Sequence, residues 1–172
     1  MTGAEYAFID KQIQLLGDSE PLDVLASTER KLRELVDRQT KDLLYETAYE
    51  GKWRPIDILA HLADVEWVFG YRARNLLCDE QPKLTPIDQD RWVAAQRGHR
   101  REPEELIDSF GALRREAISF YRRLTPDDME RGGEHVGAGM RMSVGFIMRL
   151  QAGHDLLHFR QLSDYLQVIA DG

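Results

Sequence analysis

"EELIDSFGALRREAISFYRRL", Glu104 to Leu124, carries apolar side chains at Leu106, Phe110, Leu113, Ala117, Phe120 and Leu124, in alternating steps of four and three. At 3.6 residues per turn these positions share one stripe of a helix and leave most charged positions outside it. That stripe is the seam of a helical bundle. Thr125-Pro126 closes the segment, because proline disfavours helical geometry in the residue before it and has no N–H to give the ladder.

The same period recurs on both sides. Pro21 to Leu44 places Leu22, Leu25, Leu32, Leu35, Val36 and Leu43 among charged residues, with Ser19 as N-cap and Pro21 in the first turn. Pro55 to Leu77 is apolar almost all round, from Ile56 and Leu59 through Trp67 and Phe69 to Leu76, so this helix is expected to be buried on several sides. Ser143 to Ile169 is the fourth long helix, its inward stripe running through Ile147, Leu150 or Gln151, His154, Leu157 or His158, Gln161, Tyr165 and Val168. A short amphipathic piece, Ala4 to Leu16, ends at Gly17 and packs across the bundle or against another chain. No segment alternates well enough to be read as a strand, and there is no internal repeat. The expected fold class is all-α: a four-helix bundle with a short N-terminal helix, a single domain over residues 1–172.

Connection lengths order the helices. Tyr45 to Arg54 is short and suits antiparallel neighbours, whereas Asp79 to Pro103, with Pro82, Pro86 and Trp92, is long enough to travel back along a helix of about 30 Å. The second and third long helices are therefore expected to run parallel. Pro126 to Met142 holds Gly132, Gly133, Gly137 and Gly139 and reads as a surface loop or a short irregular hairpin.

Composition narrows the function. The chain has 172 residues, 42% hydrophobic and 9% aromatic, within the range of an ordinary globular domain. A formal charge of -7 and a pI near 5.3 argue against nucleic acid as a partner, since phosphate binding needs a dense basic surface. The first residues lack the positive start and apolar run of a signal peptide, and no run approaches a membrane span. One cysteine, Cys78, offers no internal disulfide and reads as a packing residue in a cytoplasmic protein.

"AGHDLLHFRQL", Ala152 to Leu162, sets His154 and His158 four apart on the inward face. Imidazoles one turn apart can lean toward one point between helices, and a third ligand would have to come from a facing helix. His61, in "DILAHLADVEW", sits in the most buried segment and is the candidate. Three neutral imidazoles suit zinc, nickel, iron or copper and leave room for water or substrate, as in catalytic sites. The alternative is a set of hydrogen-bonded core histidines, since buried polar groups of this kind need partners. Asp57, one turn before His61, and Asp64, three residues after it, are the carboxylates placed to take the other N–H of a ligating ring, while Asp155 reads as surface. His99 and His135 fall in polar interhelical segments and read as surface, and Arg97, Arg100 and Arg101 read as a solvated basic run.

With "WRPIDILAHLADVEW", "PKLTPIDQDRW" and "GHDLLHFRQL" in this order, the chain resembles the DinB-like superfamily from about Leu22 to Ile169. The resemblance implies an up-down-down-up bundle, a homodimer, and a divalent metal on His61, His154 and His158 in a cleft at one end. Zinc or nickel is the implied ion, with iron as a further candidate. It also implies a small-molecule substrate, with a low-molecular-weight thiol S-transferase, isomerase or hydrolase as the reaction classes. A non-catalytic metal-stabilised helical dimer or interaction module is the alternative.

Overall fold

Helix α1 (Gly3–Leu16) precedes three long helices that each open on proline: α2 (Pro21–Val36), α3 (Pro55–Cys78) and, beyond the short α4 (Gln89–Gln96), α5 (Pro103–Arg122). Proline suits the first turn because its fixed φ is helical and its missing N–H would be unpaired there anyway. A short α6 (Pro126–Glu130) and a hairpin then lead into the last long helix, α7 (Val144–Asp171). The computed structural model describes residues 3–136 and 139–171, with side chains from residue 7 onward, so Gly137 lies outside the described residues. Among these residues, no helix is long and apolar enough to cross a membrane.

Two apolar clusters fix the directions of the helices. One joins Leu25 of α2, Val65 to Leu76 of α3, Ala117 to Tyr121 of α5 and Val144 to Ala152 of α7. The other joins Leu32 and Val36 of α2, Ile56 to Ala63 of α3, Leu106 to Phe110 of α5 and Leu162 to Leu166 of α7. Helices α2 and α7 therefore run from the first cluster to the second, while α3 and α5 run the other way. The order is up-down-down-up, and α3 and α5 are parallel, as their long connection requires.

Differences from the sequence reading have local causes. Helix α2 caps at Glu20 rather than Ser19 and ends at Val36, and Lys41–Tyr45 forms a separate 3-10 turn. Beyond Val36 the next inward positions are Gln39 and Thr40, which have no apolar surface to hold another turn. Within α3, Trp67 is 68% exposed whereas Glu66 is buried, so the helix is not apolar-inward at every large side chain.

The connections also contain three short strands, β1 (Lys83–Leu84), β2 (Gly132–His135) and β3 (Met140–Ser143): the hairpin is one of the two readings the glycine-rich link allowed, while the strand at Lys83–Leu84 is not legible in the sequence. β2 and β3 form an antiparallel hairpin with Glu134 opposite Arg141, and β1 adds to β2 in parallel with Leu84 opposite His135. Gly133 permits this junction, because a Cβ there would lie 2.2 Å from the Pro82 carbonyl oxygen. The sheet ties the long crossover to the side of the bundle.

Helix α1 packs on its own bundle. Leu16 joins the first apolar cluster, and Gly153 of α7 lets the α1 backbone approach so closely that a Cβ at 153 would lie 2.1 Å from the Gln12 carbonyl oxygen. This crossing adjoins His154.

Candidate metal centre

His61 stands in the second turn of α3, whose start is fixed by Asp57: its carboxylate accepts the Arg54 backbone N–H at 3.1 Å and the Arg54 Nε–H at 2.8 Å. His154 and His158 stand at mid-length of α7, where the two apolar clusters meet, rather than at one end of the bundle. All three rings are buried, at 2%, 5% and 4% exposure. One ring nitrogen from each lies within 4.8 Å of the others, and the Nε2 atoms of His61 and His154 are 3.1 Å apart.

The donor chemistry fits a cation. Burial drives the His61 pKa down to about 3 and that of His158 to about 4, and holds His154 well below its ordinary value, so all three rings are neutral at pH 7. His158 lies with its Nδ1 2.8 Å from Gln161 Oε1, an acceptor that fixes the proton on Nδ1 and leaves the Nε2 lone pair available. That Nε2 is buried with no hydrogen-bond partner among the described residues. A single N–H···N bond between His61 and His154 would leave His158 unsatisfied, whereas one cation would engage a lone pair of each ring. The His154 Nδ1 is also without a partner, so the support around that ring is less complete than around His158.

Gln161 is itself held, its Nε2 donating to Tyr165 Oη at 3.1 Å. The helical period places both residues on the inward stripe but cannot reveal this relay. Trp53 packs on the His61 ring at 4.7 Å between centroids and lies nearly parallel to His158 at 6.2 Å.

Among the described residues, the carboxylates read from sequence as supports have other neighbours than the three rings. Asp57 is engaged by Arg54, with His99 Nδ1 at 3.8 Å from its other oxygen. Asp64 is half-buried, its pKa raised by burial against the pull of Arg101. Asp155 is not on the surface but 2% exposed, where Arg114 donates to it from Nη1 at 2.5 Å and Nη2 at 2.9 Å.

Arg114 centres a polar layer beside the histidines. It donates from Nε and Nη2 to the two oxygens of Glu66 at 3.0 and 2.6 Å, and from Nη1 to the Leu25 carbonyl at 3.1 Å. Gln151 adds a bond to Glu66 and accepts one from Tyr121. Burial pushes the Glu66 carboxyl up against the pull of Arg114 and the Gln151 hydrogen bond, while Asp155 and Glu66 hold the Arg114 guanidinium above its ordinary value despite its burial. Counted in their ionised forms, two carboxylates against one guanidinium give a formal charge of about -1 next to the candidate site. The signal was present in sequence: Arg114 is four residues after Phe110 and three before Ala117, on the seam itself.

His135 is likewise not on the surface. The hairpin folds the glycine-rich link back onto α3 and buries this ring to 8% exposure, beside Arg72. It lines a cavity of about 130 Å³ together with His61 and His154. A larger cavity, about 580 Å³, reaches His158 between Trp53, Lys52 and Lys11. Phe8 of α1 and Gln89 of α4 border both, so the imidazoles lie between two spaces open to a small molecule. Cys78 is exposed and belongs to neither.

Comparison with known proteins agrees with this geometry. The profile of the DinB superfamily matches residues 25–162. The chain is 27% identical over 119 residues to a protein of Oceanobacillus iheyensis, covering 69% of this chain and 68% of that one. It is also 22% identical to YfiT of Bacillus subtilis over 143 residues, covering 83% and 80% of the two chains. Both relatives carry the name "putative metal-dependent hydrolase". The solved structure of YfiT, described as having an unusual four-helix bundle topology, superposes with a TM-score of 0.74 at 23% identity, covering 91% of this chain and 86% of that one.

Proposed function

The chain belongs to the DinB superfamily, and from that premise we propose that it is a metal-dependent enzyme acting on a small molecule. His61, His154 and His158 are the residues that would hold the ion, with zinc or nickel favoured by an all-imidazole set and iron a further candidate. When bound, a divalent cation there supplies Lewis acidity and lowers the pKa of water or of a small thiol at its open position.

The protein's own residues do the rest. Gln161 holds the tautomer of His158, burial keeps all three rings neutral, and Trp53 walls the larger cavity against the rings. The names of the relatives favour water as the nucleophile and hence hydrolysis. A thiol-dependent transferase or isomerase uses the same opening with a low-molecular-weight thiol in place of water.

The observation that carries the reading is the unpartnered Nε2 of buried His158 beside two facing imidazole nitrogens, at the edge of a cavity of about 580 Å³. A metal serving only to stabilise the bundle would need no such space, so the cavity favours catalysis over the non-catalytic alternative.

Zinc and nickel titrated into chelator-treated protein should bind at one equivalent, with His158→Ala weakening affinity at least a hundredfold and His99→Ala leaving it unchanged. Equal affinity in wild type and His158→Ala would sink the site. A panel of esters and amides, and of small thiols paired with electrophilic acceptors, then separates the nucleophiles. Turnover of none of them by the loaded protein would favour the non-catalytic alternative.

A further inference from the structure

Along α3, His61, Val65, Val68 and Arg72 follow one another at steps of four, three and four, which is one face of a helix. All four line the cavity of about 130 Å³. The face thus offers an imidazole at one end, a guanidinium at the other and branched apolar side chains between. Eleven residues correspond to about 16 Å along the axis, shortened where both end groups reach inward.

Arg72 is half-buried and has no acidic partner among the described residues. Its Nη2 donates to the Thr85 carbonyl at 2.7 Å and lies 3.5 Å from His135 Nε2, while its Nε and Nη1 have no hydrogen-bond partner among the described residues. Among the described residues, no Asp or Glu lines the cavity. Arg114, Arg54 and Arg74 by contrast have acids, Arg114 with Glu66 and Asp155, Arg54 with Asp57 and Arg74 with Glu116, whereas Arg72, like the half-buried Arg149, has none among the described residues. Burial holds the Arg72 pKa below its ordinary value, and no anion among the described residues works against that shift.

We propose that Arg72 is the substrate-anchoring residue of this site, receiving the carboxylate of a small acid whose apolar middle lies against Val65 and Val68 and whose reactive group reaches the three imidazoles. The inference rests on the catalytic reading above and adds a substrate class to it: short-chain molecules with an anionic end. A carboxylate supplies acceptors for the free N–H groups, and the cavity of about 130 Å³ accommodates a head group and short chain but no bulky body. Larger portions of the molecule would extend past Phe8 and Gln89 into the second cavity.

The test uses hexanoate, acetate, hexanamide and inorganic phosphate as probes, titrated by calorimetry into the full chain with and without zinc. In the metal-free protein hexanoate should bind saturably and more tightly than acetate, and hexanamide should not bind. Arg72→Gln should weaken hexanoate at least tenfold and Arg72→Lys by less, with zinc affinity unchanged in both. In 15N-labelled wild type, hexanoate should shift the Arg72 Nε–H resonance, which needs no variant to fold. Equal hexanoate binding by wild type and Arg72→Gln, an unmoved Nε–H resonance, or binding of phosphate but no carboxylate would each overturn the proposal. A wild type that takes no zinc would instead remove the metal reading, leaving the metal-free hexanoate result to decide the role of Arg72.

Discussion

Gln161 fixes the proton of His158 on Nδ1, so its removal should act on the lone pair that would face the proposed cation rather than on the fold. Gln161→Ala is expected to weaken zinc about 10 to 100-fold, as loss of a partner behind a ligating ring does, with little change in thermal midpoint of the metal-free protein. Competition against a chromophoric chelator measures this, and unchanged affinity would mean the hydrogen bond does not support the ligand. The same rings give a pH signature. An unfolded histidine titrates near 6.5, whereas burial places His61 and His158 at about 3 and 4 in the fold. Between these values the unfolded chain binds more protons, so the stability of the metal-free protein should fall as pH drops from about 6.5 toward 4. The slope reaches at most about 1.4 kcal/mol per pH unit for each ring, readable by urea denaturation across that range. A flat profile would mean the rings are not buried neutral. His61, His154 and His158 were legible because helical spacing sets two on one stripe and the third in the most buried helix. His135 was not, because its burial depends on a hairpin pairing with a strand far away in sequence.

Helix α1 decides how closed the site is, since Phe8 borders both cavities and Gln12 lies against the crossing at Gly153. Gly153→Ala puts a methyl group 2.1 Å from the Gln12 carbonyl oxygen, a contact with backbone that only displacement of one helix can relieve. An expected cost of about 1–3 kcal/mol follows, with loss of hydrogen-exchange protection concentrated in α1 rather than in α3 or α5. Unchanged α1 protection would mean the crossing is looser than its distances imply. The long helices were readable from the chain alone because each repeats its apolar stripe over several turns, and proline and the connection lengths set their starts and directions. Of the strands only a hairpin in the glycine-rich link was open as a reading, because pieces as short as Lys83–Leu84 and glycine-led pieces such as Gly132–His135 carry no alternation of their own. Their pairing, not their composition, makes them strands. For α1 the amphipathic pattern announced a buried face, but only the close approach at Gly153 identified α7 as the surface that covers it.

Arg114 connects the molecule as a whole. From α5 it bonds Glu66 of α3, Asp155 of α7 and the Leu25 carbonyl of α2, so one side chain joins all four helices of the bundle in the layer between its two apolar clusters. Seam periodicity describes which faces turn inward but says little about a charged layer, since each member looks like an isolated exception until its partners are brought together. The layer also bears on the site. Asp155 follows His154 in the chain, and with both acids ionised the formal charge of about -1 left by two acids and one base would partly balance a divalent cation held by three neutral rings. Removing the guanidinium strands two carboxylates that are only 3% and 2% exposed. Arg114→Met should therefore cost about 3–5 kcal/mol in urea denaturation. Neutralising the acids in the same chain, with Glu66→Gln and Asp155→Asn added, should recover part of that loss, because the penalty arises from uncompensated charge rather than from lost volume. A single-variant cost below about 1 kcal/mol, or no recovery in the triple variant, would show that the four helices are held by apolar packing alone and that the central charges contribute nothing to their arrangement.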